Sequence, residues 1–156
     1  MNKLWISCVG VALLGLMSAS NAFGSVNKYI RVEAGEISKG ASSVNGRVTV
    51  GDGAMIDGDV DTVNGGIKLG SGVQAGEVQS VNGKVTIGDD CTVETAQTVN
   101  GRAELGERVI VSGDVSTVNG EVNIGYGSQV GGDVDTVNGK VKLKGVNVAG
   151  NIGNTN

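Results

Sequence analysis

Ser80-Val81-Asn82-Gly83-Lys84-Val85-Thr86-Ile87-Gly88 and Thr98-Val99-Asn100-Gly101-Arg102-Ala103-Glu104-Leu105-Gly106 are two copies of one pattern set 18 residues apart. The Val-Asn-Gly triplet inside them starts again at Val44, Val63, Val118 and Val137, each step being equal to that spacing or longer by a single position. A degenerate copy, Val26-Asn27-Lys28, stands 18 residues before Val44. A period of this size marks a solenoid, in which one supersecondary unit buries its apolar face only by stacking on the next.

Aligned with one optional residue at each of two corners, the copies give five apolar columns. The first is Val26, Val44, Val63, Val81, Val99, Val118 and Val137. Ile30, Val48, Ile67, Val85, Ala103, Val122 and Val141 form the second; Val32, Val50, Leu69, Ile87, Leu105, Ile124 and Leu143 form the third, two residues on. That step of two is strand alternation. The fourth column is Ile37, Ile56, Ala75, Val93, Val111, Val130 and Val148, and the fifth Ala41, Val60, Val78, Ala96, Val115, Val134 and Ile152. Short β-branched runs between Gly, Asn and Asp corners predict an all-β, single-stranded β-helix of about seven coils with three short faces each, over residues 26–156. At about 4.8 Å per coil the rod is on the order of 33 Å long. Burying one Val or Ile gains roughly 1.5–3 kcal/mol while ordering each residue costs about 1–2, so a single coil cannot fold alone.

Residues 1–22 read differently. Lys3, an apolar run from Leu4 to Met17 and small residues at Ser20-Asn21-Ala22 have the layout of a secretory signal peptide cleaved after Ala22. The run is too short to span a bilayer, and no other apolar stretch follows, so no transmembrane segment is expected after cleavage. Export would place the chain in a periplasmic or extracellular setting. Only Cys91 then remains, so no internal disulfide is available, and its inward position beside Ala54, Val73, Val109 and Ser128 predicts a buried thiol.

Twelve basic residues, one of them Lys3, face 16 acidic ones, which argues against nucleic acid as a partner. There is no His, and the single Trp lies in the leader, so neither His-based chemistry nor an aromatic sugar cleft is available. The charges are sorted. Arg31, Arg47, Lys68, Lys84, Arg102, Lys140 and Lys142 flank the strand between the first and third columns, interrupted by Glu104 and Glu121. Asp57, Asp59, Asp61, Glu77, Glu94, Asp114, Asp133 and Asp135 share the fifth-column face. Two solvated faces would keep the rod soluble; a basic face would also hold an anionic envelope polymer or a second rod. The acids lie on regular outer faces, so their pKa values are expected to be ordinary and no catalytic residue is assigned.

Asn27, Asn45, Asn64, Asn82, Asn100, Asn119 and Asn138 form a column suited to an amide ladder along the axis, with the following Gly expected to supply positive φ at the corner. The neighbouring Ser25, Ser43, Thr62, Ser80, Thr98, Thr117 and Thr136 would complete a flat polar array that resembles the surface of solenoid ice-binding proteins, although three of the seven are Ser. Gly51-Asp52-Gly53 and Asp57-Gly58-Asp59 look superficially like calcium repeats, but the nine-residue period is absent, so no metal or other cofactor is expected.

Val48-Thr49-Val50-Gly51-Asp52-Gly53 and Ile56-Asp57-Gly58-Asp59-Val60 resemble the bactofilins over residues 26–152. The resemblance implies a right-handed β-helix that assembles end to end into filaments without nucleotide, although bactofilins act on the cytoplasmic side and this chain carries an export signal. The same segments resemble the hexapeptide repeat of left-handed β-helix acyltransferases, whose chemistry relies on histidine, so handedness stays open. The expected function is a non-enzymatic structural solenoid of the cell envelope that self-associates or binds an envelope component. The alternative is a surface binder for an extended ligand, an anionic polysaccharide before ice. Past Ile152 only Gly153-Asn154-Thr155-Asn156 follow, so the last coil is expected to pair with another molecule through its end.

Overall fold

The computed structural model describes Gly24, Ser25 and residues 27–155; the leader and Val26 lie outside the described residues. The chain is a β-solenoid of about seven coils, built from parallel strands with no helix among the described residues. Most coils contribute three short strands, as Val48–Val50, Met55–Ile56 and Val60–Thr62 do in the second; in the third and fourth the last two run on as one. The first strand of every coil joins one seven-stranded parallel sheet in unbroken register, Ile30↔Val48↔Ile67↔Val85↔Ala103↔Val122↔Val141. The other two strands of each coil lie in a second sheet.

Period-two alternation turns into burial directly. Val48, Val50, Val85, Ile87, Val122 and Ile124 are buried while Thr49, Thr86 and Asn123 between them are not. The second to fifth columns fill the core of the central coils, joined by Ala54, Val73, Cys91 and Val109. Cys91 donates its thiol to Gly70 O at 3.0 Å, and burial pushes its pKa up.

Three expectations are corrected. From Val44 to Val137 the valines of the first column are only half-buried and stand outside the core; the Ser and Thr before them, from Ser43 to Thr136, take the inward place. In the fourth column the partner of Ile56 is Ser38, not Ile37, which points outward and is 71% exposed. With Ser38 in place, the first six coils keep a constant second corner, and only the third corner gains or loses a residue. In the third and fourth coils, where it is one residue shorter, the two strands fuse into the continuous Gln74–Ser80 and Thr92–Thr98; the first coil has the same short corner but keeps Ile37–Ser38 and Ala41–Ser43 apart. The seventh coil alone is one residue shorter at the second corner, between Leu143 and Val148.

The third correction concerns glycine. Positive φ recurs at the second corner, once per coil, at Gly35, Gly53, Gly72, Asp90, Arg108, Gly127 and Gly145, and is found elsewhere at Asn27, Gly40 and Gly58. The glycine after each Asn has no positive φ. It is required for space, because a Cβ on Gly83 would lie 1.8 Å from Gly65 O, and one on Gly101 would lie 1.9 Å from Gly83 O.

Candidate functional site

The asparagine column is a hydrogen-bonded ladder. Asn45 Nδ2 donates to Asn27 Oδ1 (2.6 Å), Asn64 to Asn45 (2.7 Å), Asn82 to Asn64 (2.8 Å), Asn100 to Asn82 (2.8 Å), Asn119 to Asn100 (2.8 Å) and Asn138 to Asn119 (3.0 Å). All these side chains are exposed, yet each internal amide already uses one donor and one acceptor within the rod. The Ser and Thr beside them form no surface array. Thr62, Ser80, Thr98, Thr117 and Thr136 are buried, and their hydroxyls donate to Gly46, Gly65, Gly83, Gly101 and Gly120 O in the coil below at 3.0–3.1 Å. This inward ladder was not expected from the sequence. Its signal was the unbroken Ser/Thr choice, which is the only small hydroxyl pair able to cap a carbonyl there.

The basic residues occupy two outward columns of the seven-stranded sheet. Arg31, Lys68 and Lys142 share one register line with Thr49, Thr86, Glu104 and Asn123; Arg47, Lys84, Arg102 and Lys140 stand beside the preceding corner with Glu121. Four of the seven are paired. Arg102 lies 3.1 Å from Glu104, which also takes Lys84; Lys142 meets Glu121 at 3.1 Å and Arg31 meets Glu33 at 3.0 Å. Lys84, with Arg102, holds the Glu104 carboxyl below its ordinary range. Arg47, Lys68 and Lys140 make no ion pair among the described residues and keep their charge available.

On the other flank the acids divide by role. Asp59, Asp114 and Asp133 accept backbone N–H groups of the following coil, from Glu77 (3.1 Å), Asp133 (2.7 Å) and Asn151 (2.7 Å). Asp52 and Asp89 at the second corner do the same for Ser71 and Glu107 at 2.8 Å. Asp61 departs from the expected ordinary pKa. Burial, then the nearby Asp59 and Glu77, push it up to about 7, and its Oδ1 is buried without a partner. Gln79, its register partner one coil on, is buried and leaves Oε1 equally unpartnered, since its Nε2 is given to Glu77. Burial also raises Glu77 and Asp135. Among the described residues no group of three or more His, Cys, Asp or Glu is placed to hold a metal ion.

Arg108, at φ 54, folds back on Asp90 of the coil below through Nε (2.7 Å) and Nη2 (2.9 Å), a bidentate clamp across the second corner. No helix among these residues is long and apolar enough to cross a membrane. No family model, no curated protein and no solved structure matches the chain, so the fold and its flanks are the ground on which function is read.

Proposed function

We propose that the chain is a non-enzymatic structural solenoid of the cell envelope, exported by its leader to a periplasmic or extracellular setting, whose basic flank holds an extended anionic polymer. The observation that supports this is the sorting of charge along an uninterrupted stack. From coil to coil the repeat changes by no more than one residue, so the rod offers repeating flat flanks rather than a loop-built cleft. Repeating cations match the spacing of a polyanion better than they match a small substrate, and several weak contacts along one rod add by multivalency.

The test is retention on immobilised lipopolysaccharide. Replacing Arg47, Lys68 and Lys140 together by Glu, which leaves every ion pair intact, should abolish a retention that salt also weakens. A wild-type chain that flows through at low salt, or a triple variant retained as well as wild type, contradicts the reading.

A second reading, self-association through a coil end, is favoured by the seventh coil. Val141, Leu143 and Val148 occupy inward columns yet are only half-buried, and Ile152 is 57% exposed. End-to-end assembly of this kind is the behaviour implied by the bactofilin-like repeat.

A further inference from the structure

The two glycine columns give stacking a direction. In the first, a Cβ on Gly46 would lie 1.9 Å from Lys28 O, and one on Gly120 would lie 1.8 Å from Gly101 O. In the second, a Cβ on Gly51 would lie 2.5 Å from Ala34 N, and one on Gly88 would lie 2.5 Å from Gly70 O. Every backbone clash in these columns is with the coil on the N-terminal side, and in the first column the Cβ would also meet the Ser or Thr hydroxyl three residues earlier. Real Cβ atoms do not approach backbone this closely, so with a coil beneath and a second corner of the usual length only glycine fits these columns; Lys144 takes the second-column place in the seventh coil, where that corner is one residue shorter.

The first coil breaks both columns. Register places Lys28 where the later coils have Gly46, Gly65, Gly83, Gly101, Gly120 and Gly139, and Glu33 where the next five have Gly51, Gly70, Gly88, Gly106 and Gly125. It also puts Glu36 at the inward position of Ala54, Val73, Cys91 and Val109, with its carboxylate accepting the Glu33 N–H at 3.0 Å. A coil arriving beneath would meet the Gly24–Ser25 strand already paired with Ser42–Ser43 and two side chains where backbone must pass, and would bury a carboxylate against apolar residues. The asparagine ladder sharpens the need for such a barrier. Every Nδ2 donates toward the N-terminal neighbour, which leaves Asn27 Nδ2 and Asn138 Oδ1 as matching ends among the described residues.

We propose that Lys28, Glu33 and Glu36 close the N-terminal face of the first coil to the seventh coil of a second copy, so that copies do not stack head to tail. The inference rests on the self-association reading above and restricts it: contact through coil ends joins seventh coil to seventh coil and stops at a pair.

Sedimentation velocity and electron microscopy of the purified chain test this. Wild type should stop at a pair or remain single at every concentration. The Lys28→Gly/Glu33→Gly/Glu36→Ala variant should form rods that lengthen with concentration, and adding Ile152→Asp should return it to single copies. Lys28→Gly/Glu33→Gly, which leaves the inward positions untouched, should lengthen in the same sense and serves if Glu36→Ala alters the circular dichroism. The inference is overturned if both variants, folded, sediment as wild type does, or if wild-type copies carrying Asn27→Cys cross-link to copies carrying Asn138→Cys. Failure of self-association as such shows differently: Ile152→Asp in the wild-type background then changes nothing. The polymer-binding reading is tested apart, by retention on lipopolysaccharide.

Discussion

Thr98 donates its hydroxyl to Gly83 O, and Gly101 owes its missing side chain to the same oxygen, 1.9 Å from where its Cβ would stand. Between them Val99 takes a half-buried place and Asn100 extends the amide ladder, so the four-residue corner is specified by one carbonyl of the coil below. Two kinds of glycine follow. Gly101→Ala should cost about 3 kcal/mol, because backbone must move in a packed stack. Gly53→Ala, at φ +67 with open space around it, should cost about 1 kcal/mol of left-handed strain. Urea denaturation of the two variants reads the difference, and equal costs would mean that conformation, not space, fixes both. Asp61 gives a pH-dependent case. Its carboxyl titrates near 7 in the fold against an ordinary 3.8, so between those values the folded chain holds the proton that the unfolded chain has lost. The stability that this proton contributes is complete below about pH 4 and lost as pH rises through 7. Asp61→Asn removes the charge and supplies an amide donor beside the orphaned Gln79 Oε1. It should therefore stabilise the rod by roughly 1–3 kcal/mol at pH 8 and hardly at all at pH 4, in denaturation curves taken at both.

The strands were legible in the sequence because alternation within a strand is local: Val85-Thr86-Ile87 states its own inward and outward sides. The corners were not, since what they require is set by a neighbour one coil away. Nothing in Val-Asn-Gly says that the glycine answers to a carbonyl of the preceding coil, or that the preceding Thr points in. Ile37 shows the same limit, for an apolar residue beside Ser38 looks like the better core candidate until the register Ser38↔Ile56 is seen. The basic columns could be placed from the sequence, but their pairing with Glu104 and Glu121, which leaves Arg47, Lys68 and Lys140 as the available charges, depended on side-chain reach across coils. The raised Asp61 was missed because the burial that chiefly raises it comes only when coils stack, which also brings Glu77 of the next coil near it. The third corner carries its own prediction. Coils with and without its extra residue lie side by side, so deleting Gly113 should make the fifth coil like the fourth, fuse its strands, and cost about 1 kcal/mol. Deleting Asp89 from the second corner instead would throw Cys91 and Val93 out of register and cost on the order of 3 kcal/mol or more, read by the same thermal melt.

Across the whole molecule the coils are equivalent units of one stack. Stability in such a stack is approximately a sum of coil terms and nearest-neighbour interfaces, and each interface here uses the same inward residues, the same glycine columns and the same amide ladder. The coils differ at the ends, where the first carries Lys28, Glu33 and Glu36 and Ile152 of the seventh is exposed. Excision of residues 81–98, one complete coil, tests this equivalence directly. Ser80 then joins Val99, Asn100 stacks on Asn64, and Gly101 sits over Gly65, so every column closes on its own kind. Small-angle X-ray scattering and circular dichroism of the shortened chain should show a folded rod about 4.8 Å shorter, melting cooperatively with unchanged strand content per residue. A chain that loses its strand signal, or a rod that keeps its original length, would contradict the account.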